Sequence, residues 1–263
     1  MAYSESYFTA RESWRDWRIE ARELIAMARV SKGTRVLEIG CGGGGLLRLL
    51  RERGAVAVGV DTLEIALDLA REKLDADERG QTRTKDGLLQ TLKGQCNSDD
   101  GTQTGLQTPL IALASESPRS SAAIRVHLLR IGEDSALPFR DAAFDAMVGQ
   151  HVVEHLPDVD TALREWKRLL APGGRLALAT PNARYPDPAH FADEDHTRVW
   201  SPDELRDAAA RAGLAVDACY TIFPYLSRVH ALRAIGVIGY RAFQRAPYFA
   251  ARGRTIMLAA RKG

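Results

Sequence analysis

Arg35-Val36-Leu37-Glu38-Ile39-Gly40-Cys41-Gly42-Gly43-Gly44-Gly45 is the stretch on which the fold of this chain turns. A short β-prone run, Arg35 to Ile39, stops abruptly in a cluster of glycines, and a helical stretch, Leu46 to Arg53, follows at once. Gly40, Gly42 and Gly45 satisfy G-x-G-x-x-G, a spacing that lets the backbone turn tightly and approach a ligand closely. Working outward, Ala55 to Val60 is a second apolar run that stops at Asp61. Leu63, Ala66, Leu67, Ala70 and Leu74 then recur at helical spacing on one face. Strand, glycine turn, helix, strand, acid, helix predicts a parallel sheet with crossover helices, a doubly wound α/β fold.

The alternation resumes later in the chain. Strands are predicted at 124–131, 144–148, 175–180, 214–222 and 255–260, which makes seven in all. Helices are predicted at 14–30, at 158–170, and from the capping sequence Ser201-Pro202-Asp203-Glu204 to Gly213. The reading is of a single domain, 1–263, with an N-terminal helical segment over 1–32. Between about 75 and 123 the residues turn to Gln, Thr, Ser, Gly and Asp without periodicity, which predicts a flexible insertion. The segment 223–253 sets Leu232, Ile235, Ile238 and Tyr240 among Arg233, Arg241 and Arg245 and is read as a helical insertion. It could cap a hydrophobic substrate, rest on a membrane surface, pack on its own sheet or form a dimer interface.

Two acids tilt the choice of ligand for the glycine turn. Glu38 lies two residues before Gly40, at the carboxyl end of its strand, where a carboxylate repels a pyrophosphate but suits an ammonium or sulfonium. Asp61, about twenty residues on at the end of the next strand, is placed to accept hydrogen bonds from ribose hydroxyls. Together they favour a ribose-bearing cationic ligand over a dinucleotide.

Five segments carry a resemblance. Val36 to Gly44 looks like the first motif, E-x-G-x-G-x-G, of class I S-adenosylmethionine-dependent methyltransferases, and Gly59-Val60-Asp61 like their second acidic motif. Gly132 to Phe139 is similar to their G-D-A-x-x-L-P-F segment, Phe144 to Leu156 to their fourth strand and its loop, and Leu169 to Gly174 to their L-K-P-G-G turn. By analogy within that family, the resemblance implies a small-molecule O-, N- or C-methyltransferase of the sort found in quinone, lipid or natural-product pathways, the quinone-biosynthesis-like subgroup among them. The resemblance implies a seven-stranded, mostly parallel Rossmann-like sheet whose last strand is antiparallel. It also implies S-adenosyl-L-methionine as cofactor, with Glu38, Gly40, Cys41, Gly42 and Gly44 at its methionine portion and Asp61 at its ribose. Thr62 and Leu63 would border the adenine, Glu133 or Asp134 would face the adenine amino group, and Gln150 would approach the methionine ammonium.

Methyl transfer asks for an acceptor that is aligned, close and desolvated, and a neutral oxygen or nitrogen acceptor can also need a base. His151, His155 and His196 are the candidates for that catalytic role. His151 and His155 are four apart and share a face if their loop is helical. The arrangement His151-x-x-Glu154-His155 with His196 is similar to the Glu-x-x-Glu-His set of a metal-dependent RNA 2′-O-methyltransferase group, but His151 replaces the first Glu, and no metal is expected. The loop 183–200, with Tyr185 and Trp200, is expected to border the acceptor.

Composition narrows the partners. The chain has 263 residues, 45% hydrophobic and 27% charged, with a formal charge of +2, which gives no global reason to expect nucleic acid. Cys41, Cys96 and Cys219 suit neither a disulfide framework nor a zinc site, and no apolar run reaches the length of about 18 residues needed to span a bilayer. A cytoplasmic protein acting on a small molecule is predicted, with at most a weak peripheral membrane contact. Two alternatives stand beside it: a nicotinamide-dependent oxidoreductase sharing the glycine turn, and a non-catalytic protein that binds the cofactor to support a partner.

Overall fold

Alternation of large and small side chains along the strands sets the architecture. The computed structural model describes residues 4–13, 15–79, 126–130, 136–187, 195–226 and 229–263. Among these the sheet has seven strands: β1 (Arg35–Ile39), β2 (Val56–Asp61), β3 (Val126–Arg130), β4 (Phe144–Gln150), β5 (Leu170–Pro181), β6 (Leu214–Pro224) and β7 (Gly253–Lys262). Their order is β3-β2-β1-β4-β5-β7-β6, with β1 to β5 parallel and β7 antiparallel to both its neighbours. The Rossmann-like sheet with an antiparallel last strand is the one expected. The chain winds outward from β1 through β2 to β3, then returns to lay β4 on the other side of β1. That reversal opens a crevice at the carboxyl ends of β1 and β4, where ligands bind in such sheets.

Successive strand residues face opposite sides. Leu37, Val58, Met147, Leu176 and Leu178 join one core with α5 (Val159–Leu169) and α6 (Pro202–Arg211), through Leu163, Trp166, Leu205 and Ala208. Val36, Ala57, Ala146, Ala177 and Ala179 join the other with α2 (Arg15–Met27) and α3 (Gly45–Glu52), through Leu24, Leu46, Leu47 and Leu50. The alanines on this second face let α2 lie close over β4 and β5. Ser201 accepts from the Glu204 N–H while Glu204 accepts from the Ser201 N–H, so α6 starts with the capping box read from the sequence.

Two boundaries differ. Helix α4 (Glu64–Arg79) runs past the expected start of the insertion at 75. Leu74 is its last large apolar residue, and Asp75 to Arg79 are helix-compatible residues that lack a stripe, so periodicity ended before the helix did. The rest of 75–123 lies outside the described residues. Helix α1 (Glu5–Ser13) packs on α2 and α4 as a separate element. Three further helices, α7 (His230–Ile238), α8 (Tyr240–Phe243) and α9 (Pro247–Ala250), join β6 to β7.

Candidate active site

The glycine turn and both acids meet at the carboxyl ends of β1 and β2. Gly42 and Gly44 have φ of +49° and +80°, the left-handed region that other residues adopt only with strain. Gly44 also caps α3, where a β-carbon would come within 2.9 Å of Ala70 Cβ. Asp61 accepts from the Gly42 N–H at 2.9 Å and from the Leu63 N–H at 3.0 Å, so the acid at the end of β2 holds the turn as well as facing it. Burial pushes its carboxyl up against the pull of these backbone donors. Thr62 and Leu63 follow, half-buried, before the first turn of α4. Cys41 contributes backbone, donating its N–H to Val60 at 3.0 Å, while its buried thiol packs on Gly59.

Glu38 is the unusual group. It is only 3% exposed, and its Oε2 has no hydrogen-bond partner among the described residues. Burial first, then the charges of Glu12 and Asp61, raise its carboxyl well above the usual range. A buried carboxylate oxygen without a donor costs free energy that a cationic ligand would offset. Above it stands α1. The Phe8 ring would lie 3.2 Å from a β-carbon on Gly42, and Glu12 pairs with Lys73 of α4 at 2.8 Å across the turn. Residues Glu133 and Asp134 lie outside the described residues.

Beside this crevice a buried polar network joins α2 to the ends of β4, β5 and β7. The Gln150 amide donates to Glu20 Oε2 at 3.0 Å, and Thr255 donates to Glu20 Oε1 at 2.6 Å. Arg254 reaches Glu20 at 3.3 Å and also pairs with Asp16. His151 sits between two carboxylates, Nε2 at 3.0 Å from Glu20 and Nδ1 at 3.1 Å from Glu154, whose other oxygen accepts from Thr180 at 2.9 Å. Burial pulls the imidazole toward neutrality, but the two carboxylates outweigh it and hold its pKa above the ordinary value. Burial likewise pushes Glu20 and Glu154 up, and their cationic and hydroxyl partners outweigh it and hold both low.

The segment 151–158 is not helical, so the condition under which His151 and His155 would share a face is not met. His151 has φ of +60°, which breaks a helical path, and the two rings have different hydrogen-bond partners. His155 Nδ1 donates to the Asp195 carbonyl at 3.0 Å, and its ring meets His196 edge-on with centroids 5.0 Å apart. Glu154, His155 and His196 each present a possible ligand atom within 4.8 Å of the others, a spacing a divalent cation could use. Both Glu154 oxygens are already engaged, by His151 and Thr180.

A family model for a methyltransferase domain matches residues 9–218, from α1 to β6. The chain belongs to this methyltransferase family. It is 29% identical over 150 residues to the ubiquinone biosynthesis O-methyltransferase of Leptothrix cholodnii, covering 57% of this chain and 45% of that one. It is 26% identical over 204 residues to the enzyme of the same description from Chelativorans, covering 71% and 61%. The chain therefore spans less than two thirds of the length of these curated relatives. Its fold is similar to that of geranyl diphosphate C-methyltransferase from Streptomyces coelicolor, at a TM-score of 0.60 and 15% identity over 100% of this chain and 88% of that one.

The residues of this methyltransferase domain fit S-adenosylmethionine. The left-handed glycine turn would allow close backbone approach, the Asp61 carboxylate could accept from ribose hydroxyls, and the Glu38 oxygen that has no partner among the described residues could face a cation. The same carboxylate beside the turn speaks against a dinucleotide, and family membership removes the oxidoreductase alternative. Sequence reading missed Phe8, Glu12, Glu20 and Arg254. Helix α1 buries only Phe8 and so shows no stripe. Glu20, by contrast, stood on the buried face of α2 with Ala21 and Leu24, a legible signal for a buried charge needing partners.

Proposed function

We propose that this chain is a methyltransferase that uses S-adenosyl-L-methionine to methylate an oxygen, nitrogen or carbon of a small-molecule acceptor. The observation that carries the reading is the buried Glu38 carboxylate, unpartnered at Oε2, beside a left-handed glycine turn held by Asp61. When bound, S-adenosylmethionine supplies a methyl group activated by its sulfonium, so the protein has only to bind, align, desolvate and remove a proton. Glu38 holds the methionine ammonium, with the Gln150 amide oxygen as second acceptor because its nitrogen is committed to Glu20. Asp61 would hold the ribose, and Thr62 and Leu63 would border the adenine. Phe8 and the rest of α1 keep water from the crevice.

His155 is the base in this reading. Donation from Nδ1 to the Asp195 carbonyl fixes the tautomer that leaves Nε2 with a lone pair. His151 has carboxylates on both nitrogens and is a positioning cation, and His196 positions the His155 ring. No metal takes part. The near-neutral charge and scattered cysteines support a small-molecule acceptor, not nucleic acid, and a cytoplasmic setting. The relatives described as ubiquinone biosynthesis O-methyltransferases support transfer to oxygen of a quinone-related small molecule.

Calorimetric titration with S-adenosylhomocysteine, followed by transfer of labelled methyl from S-adenosylmethionine to a panel of lipid-soluble catechols and phenols, tests the proposal. Cofactor binding with turnover supports it. Binding without turnover on any acceptor class favours a non-catalytic cofactor-binding protein, and His155→Ala should abolish transfer to oxygen while leaving S-adenosylhomocysteine binding intact.

A further inference from the structure

Helix α7 is built the wrong way round for a helix that serves only its own core. It seats on the end of β6 through a glycine: a β-carbon on Gly236 would come within 2.8 Å of the Pro224 carbonyl oxygen, and Gly236 is the helix's buried residue. Its large aliphatic side chains face outward, with Leu232, Ile235 and Ile238 being 42%, 49% and 67% exposed. Three bulky side chains at a spacing of three form one stripe. Exposed apolar surface gathered this way marks an interaction site, whereas scattered residues do not.

The charge around the stripe identifies what covers it. All 34 acidic residues of the chain lie outside 223–253, which carries Arg228, Arg233, Arg241, Arg245 and Arg252. In α9, Tyr248 is 62% exposed with the Arg252 guanidinium 4.8 Å from its ring centroid, a pairing of amphipathic ring and cation suited to a lipid headgroup layer. Arg241 of α8 keeps an exposed guanidinium although it also pairs with Glu23. A two-fold contact between copies would bring this acid-free segment against itself, with like charges opposed. An anionic phospholipid surface meets both needs, taking the aliphatic stripe into its acyl boundary and the arginines against its phosphates.

We infer that α7 to α9 dock the protein on an anionic lipid surface. Docking brings the acceptor side of the domain to that surface. Tyr225, just before α7, meets the Tyr185 ring edge-on at 5.6 Å, and burial pushes the Tyr185 hydroxyl up against the pull of Arg233 of α7 and of Arg254. This last placement rests on the acceptor region proposed above; the docking itself does not.

Co-sedimentation of the full chain, saturated with S-adenosylhomocysteine, with vesicles of phosphatidylcholine alone or mixed with phosphatidylglycerol is the test. Binding to the mixed vesicles should exceed that to phosphatidylcholine by at least about tenfold and fall with added salt. The double variant Ile235→Ser with Ile238→Ser should lose about tenfold or more, with cofactor binding unchanged because both side chains are exposed. Arg245→Ser with Arg252→Ser should lose the preference for phosphatidylglycerol. Absence of binding to either vesicle, equal binding to both, or undiminished binding by the isoleucine variant would overturn the inference. So would a dimer in sedimentation velocity that the isoleucine variant converts to monomer, since the stripe would then be a contact between copies. None of these outcomes depends on methyl transfer, so the docking can fail while the catalytic reading stands.

Discussion

Replacing Glu38 by Gln should move ligand affinity and protein stability in opposite directions. The carboxylate is buried, Oε2 has no partner among the described residues, and Glu12 and Asp61 add like charge, so the ligand-free protein favours its protonated form. Its folded pKa lies above the unfolded value of about 4.3. The contribution of Glu38 to stability is therefore complete below about pH 4.3 and is lost as pH rises through the folded pKa. Gln has nearly the same shape and never ionises, so Glu38→Gln should raise the melting temperature of the ligand-free protein at neutral pH, by a margin that grows with pH. Binding reverses the balance. An ammonium beside Glu38 stabilises the ionised form, and losing that charge-assisted contact costs about 2 kcal/mol, or about thirtyfold in affinity for S-adenosylhomocysteine. Wild-type binding should release a proton, so its affinity should rise with pH, and its calorimetric heat should differ between Tris and phosphate buffers. The variant should show neither effect. Unchanged affinity in Glu38→Gln would refute a ligand cation at this site, and a lower melting temperature would show that the carboxylate already has a donor.

Asp61→Ala should weaken S-adenosylhomocysteine by at least about tenfold in calorimetry, because it removes a ribose acceptor and frees the Gly42 and Leu63 N–H groups; Asp61→Asn, which keeps one acceptor oxygen, should lose less, and equal losses would separate the effect from hydrogen bonding. His151 has a folded pKa above its unfolded value of about 6.5, so the stability it contributes is complete below about pH 6.5 and is lost as pH rises through the folded value. His151→Asn, chosen because Asn tolerates positive φ, should cost about 3 kcal/mol near pH 6 in urea unfolding and flatten the alkaline decline; an unchanged pH profile would show that the ring is not held as a cation. Chelation by EDTA should leave methyl transfer unaltered, since both Glu154 oxygens serve His151 and Thr180; a loss restored by Mg²⁺ would reassign Glu154, His155 and His196 as metal ligands.

What the sequence disclosed follows from how local each signal is. The glycine turn, Glu38 and Asp61 lie within 35–61 and are fixed by one strand-turn-helix-strand unit, so spacing alone placed them. The seven strands were readable because each has a run of apolar residues, whatever its neighbours. The network around His151 was not readable, because its members come from α2, β4, β5 and β7 and meet only when the sheet order is known. Whether His151 and His155 share a face depended on a helical loop, and the condition was not met for a related reason. Four-residue spacing carries meaning only on helical backbone, and the left-handed residue at 151 turns the chain where β4 ends. Yet one end of that network had announced itself. Glu20 lies on the stripe of α2 that also buries Leu24, and a carboxylate in such a place must find cations or donors elsewhere in the fold. Its partners His151, Arg254 and Thr255 lie more than a hundred residues away, so the sequence could declare the need and only the fold could say how it was met.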